Sequence, residues 1–299
     1  MRSPIGIFDS GLGGLSVAAR VMRILPRERI IYFADTAHVP YGERPLAEIN
    51  GFALDITRFL IEEGAKAIVM ACNMSSAIAL DEACTRWPDI GILGVIEPGA
   101  RAAVEVANGR PIGVLATTGT VKSEAYVRAI EREGGRGSRR ARPDRRSRDP
   151  GPGSEIPDQQ GVAVVQQPCP RFVPLVESGL ADSEEAEAAA VDYLAPLRRA
   201  GCGTIILGCT HYPFLRRAIE SAAGPEVTIV DPAEETAHAL AKTLYERGLE
   251  SEALDAPHVF YASGDTCGFA ELGSRFLGTP IEEVISRQLS VVSARTNEA

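Results

Sequence analysis

The sequence predicts an α/β fold with mainly parallel sheets, and three observations lead to this prediction. Short, continuous apolar runs are typical of strands that are covered on both faces. Amphipathic segments such as 45–64 and 184–201 separate several of these runs, as in βαβ units. The pattern of strand and helix also occurs twice along the chain. We therefore expect two similar α/β units with a cleft between them.

Nine apolar runs are predicted to be strands. In chain order they are IGIF (5–8), IIYFA (30–34), AIVMA (67–71), IGILGV (90–95), IGVLA (112–116), VAVVQQ (162–167), TIILG (204–208), VTIV (227–230) and VFYA (259–262). Each run is four to six residues long, which favours a strand over a helix. Because the runs are apolar throughout rather than alternating, we expect helices on both faces of the sheets.

The two halves of the chain contain matching segments. IGIFDSGLGGLSV begins at Ile5, and IGVLATTGTVKSEAY begins 107 residues later at Ile112. Cys72 of AIVMACNMSSAIAL and Cys209 of TIILGCTHYPFLRRAI lie 137 residues apart. The offsets of 107 and 137 residues differ by about the length of the segment 134–161. This segment has the composition of an insert. Without it, the halves have the same order of strands, cysteine and helices.

Residues 134–161 form an Arg-, Gly- and Pro-rich segment with almost no apolar side chains, so it contributes little to a core. Its part 134–153 contains seven Arg and two Asp, a local charge of +5 that leaves −14 for the other residues. A polyanion-binding arm is one interpretation. A disordered surface loop is the preferred one, because no aromatic residues are interleaved for stacking on bases.

The composition is that of a soluble globular protein, with 299 residues, 45% hydrophobic and 24% charged residues. A formal charge of −9 argues against nucleic acid as a partner. No apolar stretch approaches the roughly 20 residues of a membrane span, so no membrane partner is expected. The N-terminal residues enter a strand without a secretory signal. We therefore expect a cytoplasmic protein.

Two of the six cysteines occupy positions that point to chemistry. The six are Cys72, Cys84, Cys169, Cys202, Cys209 and Cys267. None forms a CxxC pair, so free thiols are expected in a reducing compartment. Cys72 and Cys209 each follow a buried strand, at the sheet edge where α/β proteins bind ligands. A helix N-terminus at that edge favours the thiolate, which predicts a cleft with a reactive thiol on each wall.

Polar residues follow the same strands and are candidates for binding a ligand with charges of both signs. They are Asp9, Ser10 and Gly11 after the first strand, Tyr41 and Gly42 after the second, Thr117 and Thr120 after the fifth, and Thr210 and His211 after Cys209. Hydroxyl and backbone N–H groups bind carboxylates, whereas acidic side chains bind ammonium groups. The set therefore suits a zwitterion.

Neither NAD nor pyridoxal phosphate is expected as a cofactor. The turn GLGGLS (11–16) resembles a dinucleotide fingerprint, but Ser16 occupies the position of its third glycine, and a Gly-rich turn alone is weak support. A pyridoxal enzyme needs a lysine for its Schiff base. The three lysines, Lys66, Lys122 and Lys242, lie in no site of that kind.

Cys202, Cys209 and His211 are the residues from which a zinc site would have to be built. Their spacing fits no common zinc pattern. Cys202 also precedes the predicted strand 204–208, whereas Cys209 follows it, so the two thiols are expected at opposite edges of the sheet. We therefore expect no metal and no cofactor.

Seven motifs, taken together and in order, resemble those of the glutamate racemases, which belong to the cofactor-independent aspartate/glutamate racemase superfamily. They are FDSGLGGLSV, PYGER, ACNMSSA, TTGTVKSEAY, FVPLVESG, LGCTHYPFL and FYASGD. The resemblance covers nearly the whole chain except 134–161. Aspartate and hydantoin racemases share the paired cysteines, but DSGLGG and GCTHYP together favour the glutamate enzymes.

The resemblance implies interconversion of L- and D-glutamate without a cofactor, by two bases, to supply D-glutamate for peptidoglycan. Cys72 would abstract the proton of D-glutamate and Cys209 that of L-glutamate. Asp9 would assist Cys72, whereas Glu177 and His211 would assist Cys209. The family's substrate-binding positions fall on Asp9, Ser10, Tyr41, Gly42, Asn73, Met74, Ser75, Thr117, Thr120, Thr210 and His211.

The resemblance also implies how the chain is divided into domains. The first α/β domain would contain 1–96 and 233–299, the second would contain 97–232, and the active-site cleft would lie between them. The two crossings fall near GVIEPG (94–99) and VDPAEE (230–235). Members of the family often form dimers, so a homodimer is expected.

Met74 departs from the family, which usually has Thr at this position. The change removes a hydroxyl that would help to hold the substrate, unless the backbone N–H makes that contact or Ser75 replaces it. Two alternative functions stay open: a racemase of another acidic amino acid such as aspartate, and a non-catalytic relative that binds glutamate. Retention of both cysteines and of their assisting residues counts against the second.

Overall fold

The structure is a computed structural model that describes residues 3–140, 162–252 and 256–289. Within these residues there are ten strands: β1 (Ile5–Asp9), β2 (Ile30–Ala34), β3 (Ala67–Met70), β4 (Gly91–Gly94), β5 (Ile112–Ala116), β6 (Val164–Pro168), β7 (Thr204–Gly208), β8 (Thr228–Val230), β9 (Val259–Ala262) and β10 (Ile285–Ser286). The nine predicted strands correspond to β1–β9. The two-residue β10 was not predicted, because so short a strand carries no detectable pattern.

The described residues also form eleven α-helices: α1 (Leu15–Ile24), α2 (Leu46–Glu62), α3 (Asn73–Arg86), α4 (Ile96–Val106), α5 (Thr118–Lys122), α6 (Ala125–Arg140), α7 (Phe172–Glu177), α8 (Glu184–Arg199), α9 (Arg216–Ala223), α10 (Pro232–Arg247) and α11 (Thr266–Leu277). Two 3₁₀ turns, Tyr41–Glu43 and Tyr212–Leu215, precede α2 and α9. The predicted amphipathic segments 45–64 and 184–201 correspond to α2 and α8. In the described part of the chain, no helix combines the length and apolar character needed to cross a bilayer.

The strands form two sheets, and every strand pair in them is parallel. One sheet has the order β10-β9-β2-β1-β3-β4 and the other the order β6-β5-β7-β8. The order β2-β1-β3-β4 therefore repeats as β6-β5-β7-β8. This repeat confirms the predicted α/β fold with parallel sheets, and it places the strands before Cys72 and Cys209 in equivalent positions.

The two sheets share an apolar core. Strands β1, β2, β3, β5 and β7 are buried along their whole length. One continuous cluster of buried side chains includes Val69 of the first sheet and Ile206 of the second. The two predicted crossings pack together, since a Cβ on Gly99 would lie 2.9 Å from Pro232 Cγ. The domain boundaries at 96/97 and 232/233 stay predictions.

The predicted insert begins later than the sequence indicated. Helix α6 continues to Arg140, so residues 134–140 are helical and not part of a loop. Arginine is a good helix former, and the roughly 1 kcal/mol that each glycine costs does not end a helix already started. The rest of the predicted insert, 141–161, lies outside the described residues.

A buried ion pair stabilises the first sheet at the end opposite the two cysteines. Lys66 Nζ lies 2.6 Å from Glu28 Oε2, and the two side chains are only 8% and 3% exposed. Lys66 also donates to the backbone carbonyl of Leu249 and to Ser251 Oγ, and Glu28 accepts two hydrogen bonds from Ser251. The cluster therefore connects the segment after α10 to the starts of β2 and β3.

We expect Lys66→Met to lower the free energy of unfolding by about 3 kcal/mol, because it leaves the buried Glu28 carboxylate without its cation. Chemical denaturation of the full chain measures this change. Lys242→Met is the matched control, since Lys242 is 70% exposed in a weak pair with Glu246. Equal stability of the two variants would contradict the structural role of the ion pair.

Candidate active site

The carboxyl ends of the two parallel sheets face each other, and the predicted site residues lie between them. Asp9 ends β1, Cys72 follows β3, Thr117 follows β5 and Cys209 follows β7. This arrangement follows from the strand order, because residues at the same end of neighbouring parallel strands are brought together. The repeat thus places one thiol on each side of the interface.

Asp9 is almost completely buried, with 1% of its surface exposed. Its Oδ2 accepts a hydrogen bond from the backbone N–H of Gly11. Its Oδ1 has no hydrogen-bond partner among the described residues. Burial raises the pKa of Asp9 above its usual range, against the opposing effects of His211 and of backbone N–H groups in the following turn. Asp9 therefore has one free acceptor oxygen in the interface.

Cys72 directly precedes α3 and is 8% exposed. The backbone N–H groups of Ser75 and Met74 and the hydroxyl of Ser10 are the donors that act on its sulfur. These donors lower the pKa of the thiol, as expected for a helix N-terminus. Burial and the neighbouring Asp9 nevertheless raise the pKa of Cys72 to about 11.

The helix N-terminus therefore favours the thiolate of Cys72, as expected, but it does not determine the net pKa. Burial of the thiol and the nearby Asp9 carboxylate outweigh the donors at the start of α3. At neutral pH Cys72 is a thiol, which is the form that donates a proton.

Cys209 has a different neighbour, a buried histidine. Its sulfur lies 3.8 Å from His211 Nδ1, and His211 Nε2 lies 3.1 Å from Glu177 Oε1 at the end of α7. Burial acts to lower the pKa of His211, but Cys209, Glu177 and then Asp9 outweigh it and raise this pKa to about 10. His211 is therefore protonated at neutral pH and presents a positive charge to the sulfur of Cys209.

The two halves are in close contact around Cys209. A Cβ on Gly13 would lie 2.3 Å from Thr210 Oγ1 and 2.5 Å from His211 Nδ1. The hydroxyl of Ser16 donates to the carbonyl of Thr210, 2.9 Å away. The glycine-rich turn after β1 thus allows the backbone of the first half to approach the residues beside Cys209.

Asn73, the first residue of α3, is 6% exposed, and its Oδ1 accepts a hydrogen bond of 2.8 Å from the hydroxyl of Tyr126. Tyr126 belongs to α6 in the second half, and burial first and Cys209 second raise the pKa of this phenol. The pair connects a residue next to Cys72 with the surroundings of Cys209.

Thr117 and Thr120 form a small hydroxyl group at the start of α5. Thr117 caps the helix by accepting from the backbone N–H of Thr120, and the two Oγ1 atoms lie 3.0 Å apart. Thr120 is 1% exposed, whereas Thr117 is half-buried. A Cβ on Gly42 would lie 3.9 Å from Thr117 Oγ1, so this hydroxyl lies close to the turn after β2.

Tyr41 and Gly42 lie in the 3₁₀ turn that follows β2. The Tyr41 side chain is 2% exposed, and its hydroxyl donates to Asp35 Oδ2. Burial first and Asp35 second raise the pKa of this phenol well above its usual value. Since the hydroxyl is bonded to Asp35, the backbone of Tyr41 and Gly42 is the part of this turn available to a ligand.

Met74 and Ser75 are buried side chains in the first turn of α3. Met74 packs with Tyr41, Phe52 and Cys72 in one apolar cluster. Ser75 is completely buried, and its hydroxyl has no partner among the described residues. Both residues reach Cys72 through their backbone N–H groups, so their contribution to the site depends little on the side chains.

The interface is closed. Cys72 and Cys209 are each only 8% exposed. The cavity beside Cys209, which Asn73, Thr210 and Asp231 help to line, has a volume of about 10 Å³, enough for one water molecule. This cavity is therefore too small for a substrate of amino-acid size.

Sequence analysis did not identify several contributors to this site. Gly13, Ser16, Tyr126 and Asp35 interact with predicted site residues but were not themselves predicted as site residues. Gly13 and Ser16 lie within the glycine-rich turn and Tyr126 at the end of a quoted motif, so these motifs contained a signal. The hydrogen bond between Asp35 and Tyr41, by contrast, carries no sequence signal, because it is set by the tertiary fold.

Comparisons with known proteins agree with this geometry. A family model described as Asp/Glu/Hydantoin racemase matches residues 13–240. A glutamate racemase from Geobacter metallireducens is 42% identical over 283 residues, 94% of each chain. Glutamate racemase RacE1 of Bacillus anthracis superposes with a TM-score of 0.83 at 35% identity, covering 97% of this chain and 98% of that one.

A glutamate racemase from Francisella tularensis, solved in complex with D-glutamate, superposes with a TM-score of 0.82 at 31% identity, covering 97% of this chain and 98% of that one. The similarity therefore extends over nearly the whole chain, in sequence as well as in fold. The chain belongs to the Asp/Glu/hydantoin racemase family, and it is an enzyme of the isomerase class.

Proposed function

We propose that this enzyme interconverts L- and D-glutamate without a cofactor, with Cys72 and Cys209 as its two acid/base groups. The observation that carries the proposal is the pair of buried thiols at equivalent strand ends, one beside a carboxylate and the other beside a protonated histidine. The relatives named glutamate racemase, one of them bound to D-glutamate, support glutamate as the substrate.

Racemisation requires the α-proton to leave one face of Cα and a proton to arrive at the other. From L- to D-glutamate, the Cys209 thiolate accepts the proton, and the electron pair of the broken C–H bond moves into the α-carboxylate. The Cys72 thiol then donates its proton to the opposite face and becomes a thiolate. The reverse direction exchanges the two roles, since a single base would return the original enantiomer.

The resting protonation states suit the L-to-D direction. Cys72, with a pKa of about 11, is already a thiol. Protonated His211 stabilises a negative charge on Cys209, and Glu177 maintains the proton on His211. The different neighbours of the two thiols thus support the proposed roles of Cys72 as acid and Cys209 as base in this direction.

Asp9 is the proposed assistant of Cys72 and a binding group for the substrate. Its Oδ1 has no partner among the described residues, and it lies in the same buried region as Cys72. The α-ammonium group of glutamate would supply the missing hydrogen bond. Its positive charge would also offset the effect of burial on Asp9 and Cys72, so that binding prepares both groups for proton transfer.

Hydrogen bonds to the substrate carboxylates account for much of the proposed barrier reduction, because the α-proton of an amino acid is very weakly acidic. The residues proposed to bind substrate are Asp9, Ser10, Tyr41, Gly42, Asn73, Met74, Ser75, Thr117, Thr120, Thr210 and His211. Tyr41, Met74 and Ser75 would act through the backbone, since their side chains are buried or bonded elsewhere.

The bound substrate also separates the thiols. If each sulfur lies about 3.5 Å from Cα in a reactive arrangement, the two sulfurs are roughly 7 Å apart. A disulfide bond is only about 2 Å long. Glutamate between them would therefore prevent the thiols from oxidising together during turnover.

The resemblance supports three further proposals about the enzyme in its cell: that its D-glutamate supplies peptidoglycan synthesis, that it acts in the cytoplasm, and that it forms a homodimer. An aspartate racemase and a non-catalytic glutamate-binding protein stay as alternatives. The assay described next separates both from the proposed function.

In deuterium oxide without added cofactor, we expect the wild-type enzyme to racemise L-glutamate and to place deuterium at Cα. Cys72→Ala is expected to reduce racemisation by at least about 100-fold. It keeps Cys209, so L-glutamate still gains deuterium on its original face and stays optically active. Cys209→Ala is expected to label D-glutamate only. Polarimetry together with NMR of the Cα position measures both quantities.

Cys267→Ala is the matched control, because this thiol is exposed and lies outside the interface; it should keep wild-type activity. Full racemisation by Cys72→Ala would contradict the two-base assignment. Incorporation of deuterium into aspartate but not into glutamate would contradict the assignment of glutamate as the substrate. Binding of glutamate without any exchange would identify a non-catalytic relative.

Glu177→Gln is expected to move the alkaline limb of kcat/KM for L-glutamate to lower pH. The carboxylate is one of the groups that raise the pKa of His211 to about 10, and a raised pKa keeps His211 protonated as the pH increases. The neutral amide retains a hydrogen-bond acceptor but not the charge, so His211 loses its proton at lower pH. Rates across the alkaline range measure the shift.

Glu187→Gln provides the control, since Glu187 is 52% exposed and forms only a 3.9 Å pair with Arg217. It should keep the wild-type pH profile. If Glu177→Gln also keeps that profile, the histidine does not determine the alkaline limb.

We expect Met74→Thr to leave KM for glutamate close to the wild-type value, because the backbone N–H at position 74 is retained. The free energy of unfolding should fall by about 2 kcal/mol, since the apolar contacts of Met74 are lost. Steady-state kinetics and chemical denaturation measure the two effects. A clear decrease in KM would instead show that a threonine hydroxyl supplies a substrate contact that Met74 cannot make.

A further inference from the structure

The segment 36–44 connects β2 to α2 and carries the Tyr41–Glu43 turn to the cleft. On the cleft side, the Tyr41 side chain packs with Cys72 and Met74. Gly42 touches the second half, since a Cβ on Gly119 would lie 3.0 Å from the Gly42 carbonyl oxygen. The position of this loop therefore affects both a catalytic thiol and the contact between the halves.

Asp35, the residue before the loop, forms hydrogen bonds with side chains of the loop. Asp35 is 3% exposed and directly follows β2. Its Oδ2 accepts a hydrogen bond of 2.5 Å from the Tyr41 hydroxyl. His38 Nδ1 lies 2.8 Å from Oδ1 and 2.9 Å from Oδ2. A single carboxylate thus contacts two side chains of the loop.

Ser263 of the FYASGD motif holds this carboxylate in place. It follows β9, and its hydroxyl donates to Asp35 Oδ1 at 2.7 Å. Ser263 Oγ in turn accepts a hydrogen bond of 2.9 Å from the backbone N–H of Ala37. Gly264 donates its backbone N–H to Thr36 Oγ1, also at 2.9 Å. The motif near the C-terminus therefore attaches to the beginning of the loop.

The loop is also packed from the side of α2. The ring of His38 stacks on Phe52, with centroids 4.1 Å apart and planes inclined by 17°. Arg44 donates to the His38 carbonyl and lies over the same Phe52 ring. These contacts support the loop, but the hydrogen bond to Asp35 is the one that directs the Tyr41 side chain and hence the turn.

We propose that Asp35 is a positioning residue for substrate binding: through Tyr41 it holds the turn that presents Gly42 to the cleft, and Ser263 fixes its carboxylate. The inference rests on the proposed function, in which the backbone of Tyr41 and Gly42 binds glutamate. Asp35 itself does not touch the substrate. Its loss should weaken binding in the ground and transition states alike, which raises KM more than it lowers kcat.

The test compares Asp35→Asn, Tyr41→Phe and the double variant with the wild-type enzyme. The amide keeps one acceptor oxygen where the carboxylate has two, and Tyr41→Phe removes the donor of the same hydrogen bond. Each single variant should raise KM for glutamate about tenfold, with a smaller change in kcat. The double variant should add little to either, because both changes remove one interaction.

Tyr261→Phe is the matched control. Tyr261 lies in β9, two residues before Ser263, and its hydroxyl donates to Glu63 at the surface. This variant should keep the wild-type KM. A wild-type KM in Tyr41→Phe would overturn the proposal. So would a double variant in which the increases in KM of the two single variants multiply. Tyr41→Phe keeps the Asp35 carboxylate and its bond from Ser263, so it provides a test even if Asp35→Asn does not fold.

Amide hydrogen exchange of the peptide covering 36–44 separates this proposal from the function on which it rests. Asp35→Asn should make the loop amides exchange faster than they do in Tyr261→Phe, whether or not glutamate is the substrate. If the loop amides of Asp35→Asn exchange faster but the wild-type enzyme does not racemise glutamate, the proposed function is contradicted. The positioning of the loop by Asp35 would still be supported. Unchanged exchange would overturn the positioning role.

Discussion

The buried positive charge of His211 is the interaction on which the rest of the site depends. A cation without counter-charges is costly to bury, so it requires anionic or polarisable groups around it. His211 has Cys209 and Glu177 in its own half, and Asp9 comes from the other half. The larger stabilising effects come from its own half, and Asp9 adds to them where the carboxyl ends of the two sheets meet. Gly13 allows that approach, because any side chain there would overlap Thr210 and His211.

The two thiols occupy equivalent positions in the repeated fold but have different neighbours. The repeated strand order places Cys72 after β3 and Cys209 after β7, in matching positions. Cys72 precedes a helix directly and lies beside Asp9, whereas Cys209 is followed by Thr210, His211 and a 3₁₀ turn. Repetition of the fold thus accounts for the symmetric placement that a two-base reaction needs. The residues around each thiol give the two positions different electrostatic surroundings, a carboxylate beside Cys72 and a histidine beside Cys209.

Much of the fold could be predicted from the sequence because its signals are local. Fully apolar runs identified β1–β9, and the positions after β3 and β7 identified the two thiols. The pKa of Cys72 could not be predicted, since it depends on burial in an apolar cluster and on the nearby Asp9, which only the tertiary fold brings together. The helical residues 134–140 were missed because their composition resembles that of a loop. The bond between Asp35 and Ser263 joins positions 228 residues apart, and no periodicity announces such a pair.

The buried carboxylate of Asp9 explains how binding and catalysis would be coupled. Its Oδ1 has no partner among the described residues, and leaving a buried acceptor unsatisfied disfavours the closed interface. A substrate ammonium group would satisfy that oxygen and make closure favourable. Asp35 follows β2 and Ser263 follows β9, both strands of the sheet that contains β1 and β3, and Tyr41 is bonded to Asp35. When the halves separate, this network keeps the binding turn with the first sheet. Closure therefore needs to bring together only two prearranged surfaces, which reduces the ordering entropy that binding must overcome.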